Sequence, residues 1–220
     1  MAAMKLLVIA AAGGLGRNVV LEALSRGHSV SVLVRSPAKL NEALGAEALA
    51  RLAGVHAGDG ASVADISAAA AGADAIISAG PPNPAAARAL GEACKASATC
   101  RKAVWTAGAS NILEADGVTM HHVAFGPQGL NYFKAHAPCI EALIATEAPY
   151  IIWCPGYMKA VGRKSASPVA ISTSAFPGSV KSMDFVSYED AANVIVRAVE
   201  VADFDNKHIT ALTAAGGAEL

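Results

Sequence analysis

The 220-residue chain has no surplus of charge of one sign, no long apolar run and no paired-cysteine motif. Each absence excludes something. Seventeen basic side chains face 18 acidic ones, a net charge of -1. That leaves no electrostatic footprint for nucleic acid, and no basic run to meet an anionic membrane surface. No segment is apolar for long enough to span a bilayer. The four cysteines, Cys94, Cys100, Cys139 and Cys154, contain no C-x-x-C pair. They read as buried thiols of a reducing compartment, so a cytoplasmic location is expected. A nucleophile elbow, a Walker lysine, an internal repeat and an interdomain linker are all missing. His121 and His122 are adjacent, but no carboxylate or cysteine stands at a useful spacing, and no metal site is expected.

What is present is hydrophobic and small. Hydrophobic residues make up 54%, much of it alanine, which lets helices pack closely on a sheet. Lys5, an apolar run and small residues mimic a secretory signal. The run is short and passes straight into a glycine turn, so it reads as part of the fold.

Apolar strand-like runs at 5–10, 29–34, 53–56, 75–78, 103–106, 150–153 and 207–210 alternate with helical patterns at 15–25, 37–51, 62–70, 84–97, 130–146 and 188–201. Such alternation predicts a single-domain, Rossmann-like, doubly wound α/β fold with a mostly parallel sheet and helices on both faces. The strands are apolar along their whole length, as strands covered on both faces must be. The domain is expected over 1–212, with a loose tail at 213–220. Two stretches of irregular character, 107–130 and 156–180, each follow a strand end. Both are candidate walls of a substrate pocket.

The first strand runs into Ala10-Ala11-Ala12-Gly13-Gly14-Leu15-Gly16-Arg17 and then a helix. A small-residue turn there lets backbone amides at a helix N-terminus meet a pyrophosphate. Ala10 stands where a first glycine is usual, and it is tolerable if its φ is negative. The alternative is a tight turn that holds no ligand. Arg35 ends the second strand nineteen residues after Gly16, where an acid would read a ribose 2′-hydroxyl. Arginine cannot accept that hydrogen bond but can pair with a 2′-phosphate. Arg17, Ser36 and Lys39 could add contacts. The expected cofactor is therefore NADP(H) ahead of NAD(H). Gly58-Asp59 could sit by the adenine, and Ser78-Ala79-Gly80 beneath the dinucleotide.

Together these residues resemble the atypical short-chain dehydrogenase/reductases. More narrowly, they resemble the NAD(P)H-binding proteins related to NmrA and biliverdin reductase B. Further carriers are Gly27-His28-Ser29-Val30, Gly72-Ala73-Asp74-Ala75-Ile76-Ile77-Ser78, Tyr150-Ile151-Ile152-Trp153-Cys154-Pro155-Gly156 and Tyr188-Glu189-Asp190-Ala191-Ala192. The resemblance implies Pro155, Gly156 and Tyr157 among the cofactor-binding residues. It implies Thr106, Tyr132 and His136 as the nearest equivalent of a Ser-Tyr-Lys catalytic set. The chain departs from that pattern at Ala10, at His136, where a lysine is common, and at Cys154, where an arginine is usual.

In such a set Tyr132 would protonate a carbonyl oxygen, and a neighbouring cation would lower its pKa. Histidine supplies that charge only part of the time. An ordinary helix face is the alternative. A flavin or quinone acceptor needs less of this relay, because it can take its proton from water. The expected function is an NADPH-dependent reductase acting on a flavin, quinone or other small conjugated carbonyl. The rival is a non-catalytic NADP(H)-binding sensor. A monomer or weak dimer is expected.

Overall fold

The computed structural model describes residues 2–114, 120–162, 164–165, 169–177 and 185–213. Seven strands form one parallel sheet: β1 (Lys5–Ile9), β2 (Ser29–Val34), β3 (Gly54–Ala57), β4 (Ala75–Ser78), β5 (Lys102–Thr106), β6 (Tyr150–Trp153) and β9 (Lys207–Ile209). Their spatial order is β3-β2-β1-β4-β5-β6-β9. The order reverses between β1 and β4, which pair from Leu6↔Ala75 to Ile9↔Ser78. A crevice opens beyond the carboxyl ends of strands at such a reversal.

Alternation along each strand divides the core in two. Leu6, Val8, Val30, Val32, Ile77 and Val104 pack against α1 (Gly14–Ser25) and α7 (Tyr188–Glu200). Leu7, Ile9, Leu33, Ile76 and Trp105 face the opposite layer. That layer is α3 (Val63–Ala69), α4 (Pro84–Ala96) and α6 (Pro127–Ile144). The central strands β4, β5 and β6 are buried on both faces and mostly apolar, whereas the edge strands β3 and β9 carry His56, Lys207 and His208 and are partly exposed. The remaining helices are α2 (Pro37–Ala50), broken at Gly45 with φ 74°, and the short α5 (His121–Ala124).

Sequence pattern and structure differ at three places. The helix expected to begin at 130 starts at Pro127, since proline at a first helical position gives up no needed donor. Helix α5 carries too few residues for a periodic signal. Strands β7 (Tyr157–Lys159) and β8 (Phe185–Ser187) pair in a separate parallel ribbon, each too short to read as a strand. The expected tail falls outside the described residues from 214 onward.

The candidate cofactor cleft and its neighbouring cavity

Two cavities lie side by side at the carboxyl edge of the sheet. Trp105, at the end of β5, lines the first, and Ala107, two residues on, lines the second.

The first cavity holds about 650 Å³. Ala10, Ala12 and Gly13 of the opening turn line it, with Ser78 at the end of β4 and Ala79 and Gly80 just beyond. Arg35 and Ser36 follow β2, Lys39 lies in the first turn of α2, and Gly58 and Asp59 follow β3. Eleven of the sequence-selected cofactor residues therefore line one space. Asn83, which the sequence reading passed over, also lines it while capping α4. Leu15, Gly16 and Arg17 contribute no side chain to the wall. Leu15 is buried in the core and Arg17 is exposed. Gly16 has another task. A Cβ there would collide with the Ala10 carbonyl oxygen and come within 2.9 Å of Ala11 Cα. Only glycine lets α1 start this close to the turn.

Ala10 adopts φ 62°, against the negative φ expected of it. Its carbonyl turns to accept from Gly13 N at 3.0 Å, while its own amide donates to Leu33 at 3.2 Å. Satisfying both bonds forces the left-handed region, at a cost of about 1 kcal/mol for a residue with a Cβ.

Helix α1 begins bare. Gly13 offers no side-chain cap, and no acidic residue lies in the first turn. Helices α2 and α6 likewise lack a side-chain cap and a first-turn acid, whereas α4 and α7 are capped by their own residues. Asn83 caps α4, and Ser187 accepts from Asp190 N on α7, with Glu189 and Asp190 in the first turn. Uncapped amides at the positive end of α1, bordering a cavity, suit an anionic ligand group. Among the described residues no carboxylate pairs with Arg35 or Lys39.

The second cavity holds about 500 Å³. Tyr132 and His136 line it one helical turn apart on α6, together with Pro155, Gly156 and Tyr157. The last three, expected among the cofactor-binding residues, line this neighbouring space. Thr106 lines neither cavity. Its hydroxyl is buried and donates to the Ser78 carbonyl at 2.9 Å, tying β5 to β4. Tyr132 is 48% exposed, and its hydroxyl accepts from Gln128 Nε2 at 3.4 Å. Burial pushes the His136 imidazole below the usual histidine range. A neutral ring cannot supply the standing charge that lysine provides beside a tyrosine.

The sequence reading missed Glu114. His121 is buried, lines the second cavity and pairs through Nδ1 with Glu114 Oε1. Its ring packs against Phe176, centroids 4.7 Å apart. His122 turns elsewhere, with Nδ1 3.1 Å from the Ser110 carbonyl and its ring 4.3 Å from Phe133. No sequence signal marks Glu114; the Leu113↔Met120 bridge and the bond from His121 N to the Ile112 carbonyl set it beside His121. Cys154 is fully buried, and burial pushes its thiol up, away from nucleophilic use. Tyr188 lines the second cavity and reaches the start of α1, its ring 3.2 Å from where a Gly14 Cβ would stand.

Solved structures at low identity share the fold. A proposed epimerase from Bacteroides thetaiotaomicron superposes with a TM-score of 0.79 at 20% identity, covering 96% of this chain and 97% of that one. A proposed NADH-flavin reductase from Streptococcus pneumoniae gives 0.72 at 22%, covering 96% and 100%. A short-chain dehydrogenase/reductase from Veillonella parvula, solved with NADP, gives 0.72 at 14%, covering 98% and 97%. No curated protein matches the chain. Among the described residues no helix is long and apolar enough to cross a membrane. The NAD(P)H-binding family model matches residues 10–201, from the turn at Ala10 to the end of α7, and the chain belongs to that family.

Proposed function

We propose that the chain is an NADPH-dependent reductase whose acceptor is a flat conjugated molecule, a flavin, quinone or small carbonyl. The observation that carries the reading is the adjacency of two unlike cavities. One is bordered by the turn that opens α1 and by Arg35, which pairs with no carboxylate among the described residues; the other is lined by aromatic rings. Relatives at this distance carry names with both NADH and NADP, so the preference rests on Arg35, Ser36 and Lys39. A guanidinium with no carboxylate partner matches a 2′-phosphate, which NADH lacks.

When bound, the nicotinamide supplies the hydride; the fold supplies the rest. The first-turn amides of α1 would hold the pyrophosphate. Gly16 keeps those amides close to the strand end. Phe125, Tyr157, Phe176 and Tyr188 would stack on and dehydrate a planar acceptor. His121, oriented through Nδ1 by Glu114, presents Nε2 as its remaining ring nitrogen and is the group placed to deliver a proton. Tyr132 is too exposed, and His136 too readily neutral, for the tyrosine–cation pair that the family pattern implies.

The test is NADPH oxidation followed with FMN, menadione and an aldehyde panel. Turnover of one acceptor well above the enzyme-free rate supports the reductase. Tight NADPH binding without turnover supports the rival sensor, a reading favoured by the missing lysine. Failure to bind either dinucleotide removes both.

A further inference from the structure

Cys94 and Cys100 sit away from both cavities, at the amino end of β5, opposite the end that carries Trp105. Their spacing of six residues gives no recognisable motif, but the chain folds them together. Cys94 lies in the last turn of α4, on the face that buries Leu90 and Ala93. The helix ends at Ser97, whose hydroxyl accepts from the backbone amides of Thr99 and Cys100 at 3.3 and 3.1 Å. That turn carries Cys100 back over the helix, and the Thr99 hydroxyl anchors it to the Ala73 carbonyl at 2.9 Å. The two sulfurs lie 2.9 Å apart, both as free thiols.

The two thiols differ in setting. Cys94 is 1% exposed, whereas Cys100 is only partly buried. The hydrogen bond with Cys94 and backbone bonds at Lys102 and Ile76 hold Cys100 below the usual thiol range, against the burial that raises it. The same contact and its own burial push Cys94 up. A more acidic, more accessible thiol beside a buried one is the arrangement of an attacking cysteine and its resolving partner. Cys139 and Cys154 are buried with raised thiols, and neither has a second sulfur beside it among the described residues.

We propose that Cys94 and Cys100 form a reversible oxidation site for small hydroperoxides, with Cys100 attacking and Cys94 resolving. Cys100 Sγ bonds to the terminal peroxide oxygen, the O–O bond breaks, and an alcohol or water leaves with the thiol proton. Cys100 is then a sulfenic acid. Cys94 Sγ attacks that sulfur, the S–O bond breaks, and water leaves with the second proton. Two thiols lose two electrons and become a disulfide; one peroxide gains them. The sulfurs already touch, so closure needs little movement of α4 or β5. The site does not depend on the reductase reading.

The experiment uses the full reduced chain, a small excess of hydrogen peroxide, blocking of remaining thiols and tryptic digestion without reductant. Cleavage after Arg88, Lys95 and Arg101 places the cysteines on separate peptides, 89–95 and 96–101. The expected product joins these peptides and is lighter than their sum by two hydrogens; dithiothreitol separates them. Cys100 should oxidise on the order of tenfold faster than Cys139 or Cys154. In Cys94→Ala, dimedone should label Cys100; in Cys100→Ser, neither the joined peptide nor the label should form. Circular dichroism confirms that each variant is folded. Free Cys94 and Cys100 after treatment, first labelling on Cys94, or overoxidised Cys100 without the joined peptide would each overturn the proposal.

Discussion

The first cavity is walled by the ends of neighbouring strands, and the second by segments scattered from Ala107 to Tyr188. One is backbone architecture: a turn, a bare helix end and a strand-end arginine. The other is a gathering of side chains on loops and short elements. The difference separates two roles that a reductase must combine. A shared cofactor calls for a fixed frame, while the acceptor's identity rests on replaceable loop residues. Substitutions at the first site should therefore act on binding, and those at the second on turnover.

The largest effect is expected from Gly16→Ala. The added methyl meets the Ala10 backbone, which cannot move without shifting β1 or α1. A loss of about 3 kcal/mol of stability, with no measurable dinucleotide binding, is the expected outcome. Chemical denaturation and a cofactor titration check it. Normal binding would mean that α1 can slide away from the strand.

Arg35→Glu comes next and splits the two dinucleotides. Removing a charge-assisted contact and adding repulsion should cost NADPH about 2–3 kcal/mol, or roughly 30- to 150-fold in Kd. NADH affinity should change little. Equal losses would remove Arg35 from the 2′-phosphate role.

His121→Gln should leave the NADPH Kd unaltered and lower kcat by about tenfold, because an acceptor that can draw a proton from water keeps part of the rate. Recovery of kcat on adding imidazole would distinguish proton delivery from packing. A changed Kd would break the division between the cavities.

His136 gives a smaller effect, read in stability. Its folded pKa lies below the ordinary value, so the unfolded chain binds the proton first as pH falls. Stability from neutral His136 is present above about pH 6.5 and is lost as pH drops from there toward the depressed folded value. His136→Asn should shrink that acid loss, measured by urea melts at pH 7.5 and 5. The smallest effect is at Ala10. Ala10→Gly should gain about 0.5 kcal/mol by relieving φ 62°, offset in part by a looser unfolded chain.

Much of the first cavity was legible in the sequence because its signals are local. A turn follows a strand within a few residues, and Arg35 ends the next strand at a countable distance. The sequence could not disclose the sign of φ at Ala10, which two backbone hydrogen bonds decide. The second cavity was legible in outline, since 107–130 and 156–180 read as pocket walls, and on α6 a four-residue spacing put Tyr132 and His136 on one face. Thr106 was placed correctly at a strand end, yet its hydroxyl is taken by the Ser78 carbonyl. Glu114 and Phe176 come to His121 from distant segments, which leaves no periodic trace. Cys94 and Cys100 illustrate the same limit, since only the turn at Ser97 brings them into contact.

The most direct test of the account is a fluorescence titration of the wild-type chain with NADPH and NADH under identical conditions. Saturable binding of both, with NADPH at least about tenfold tighter, is the predicted result for an arginine that meets a 2′-phosphate. Absence of binding, or tighter binding of NADH, would contradict it.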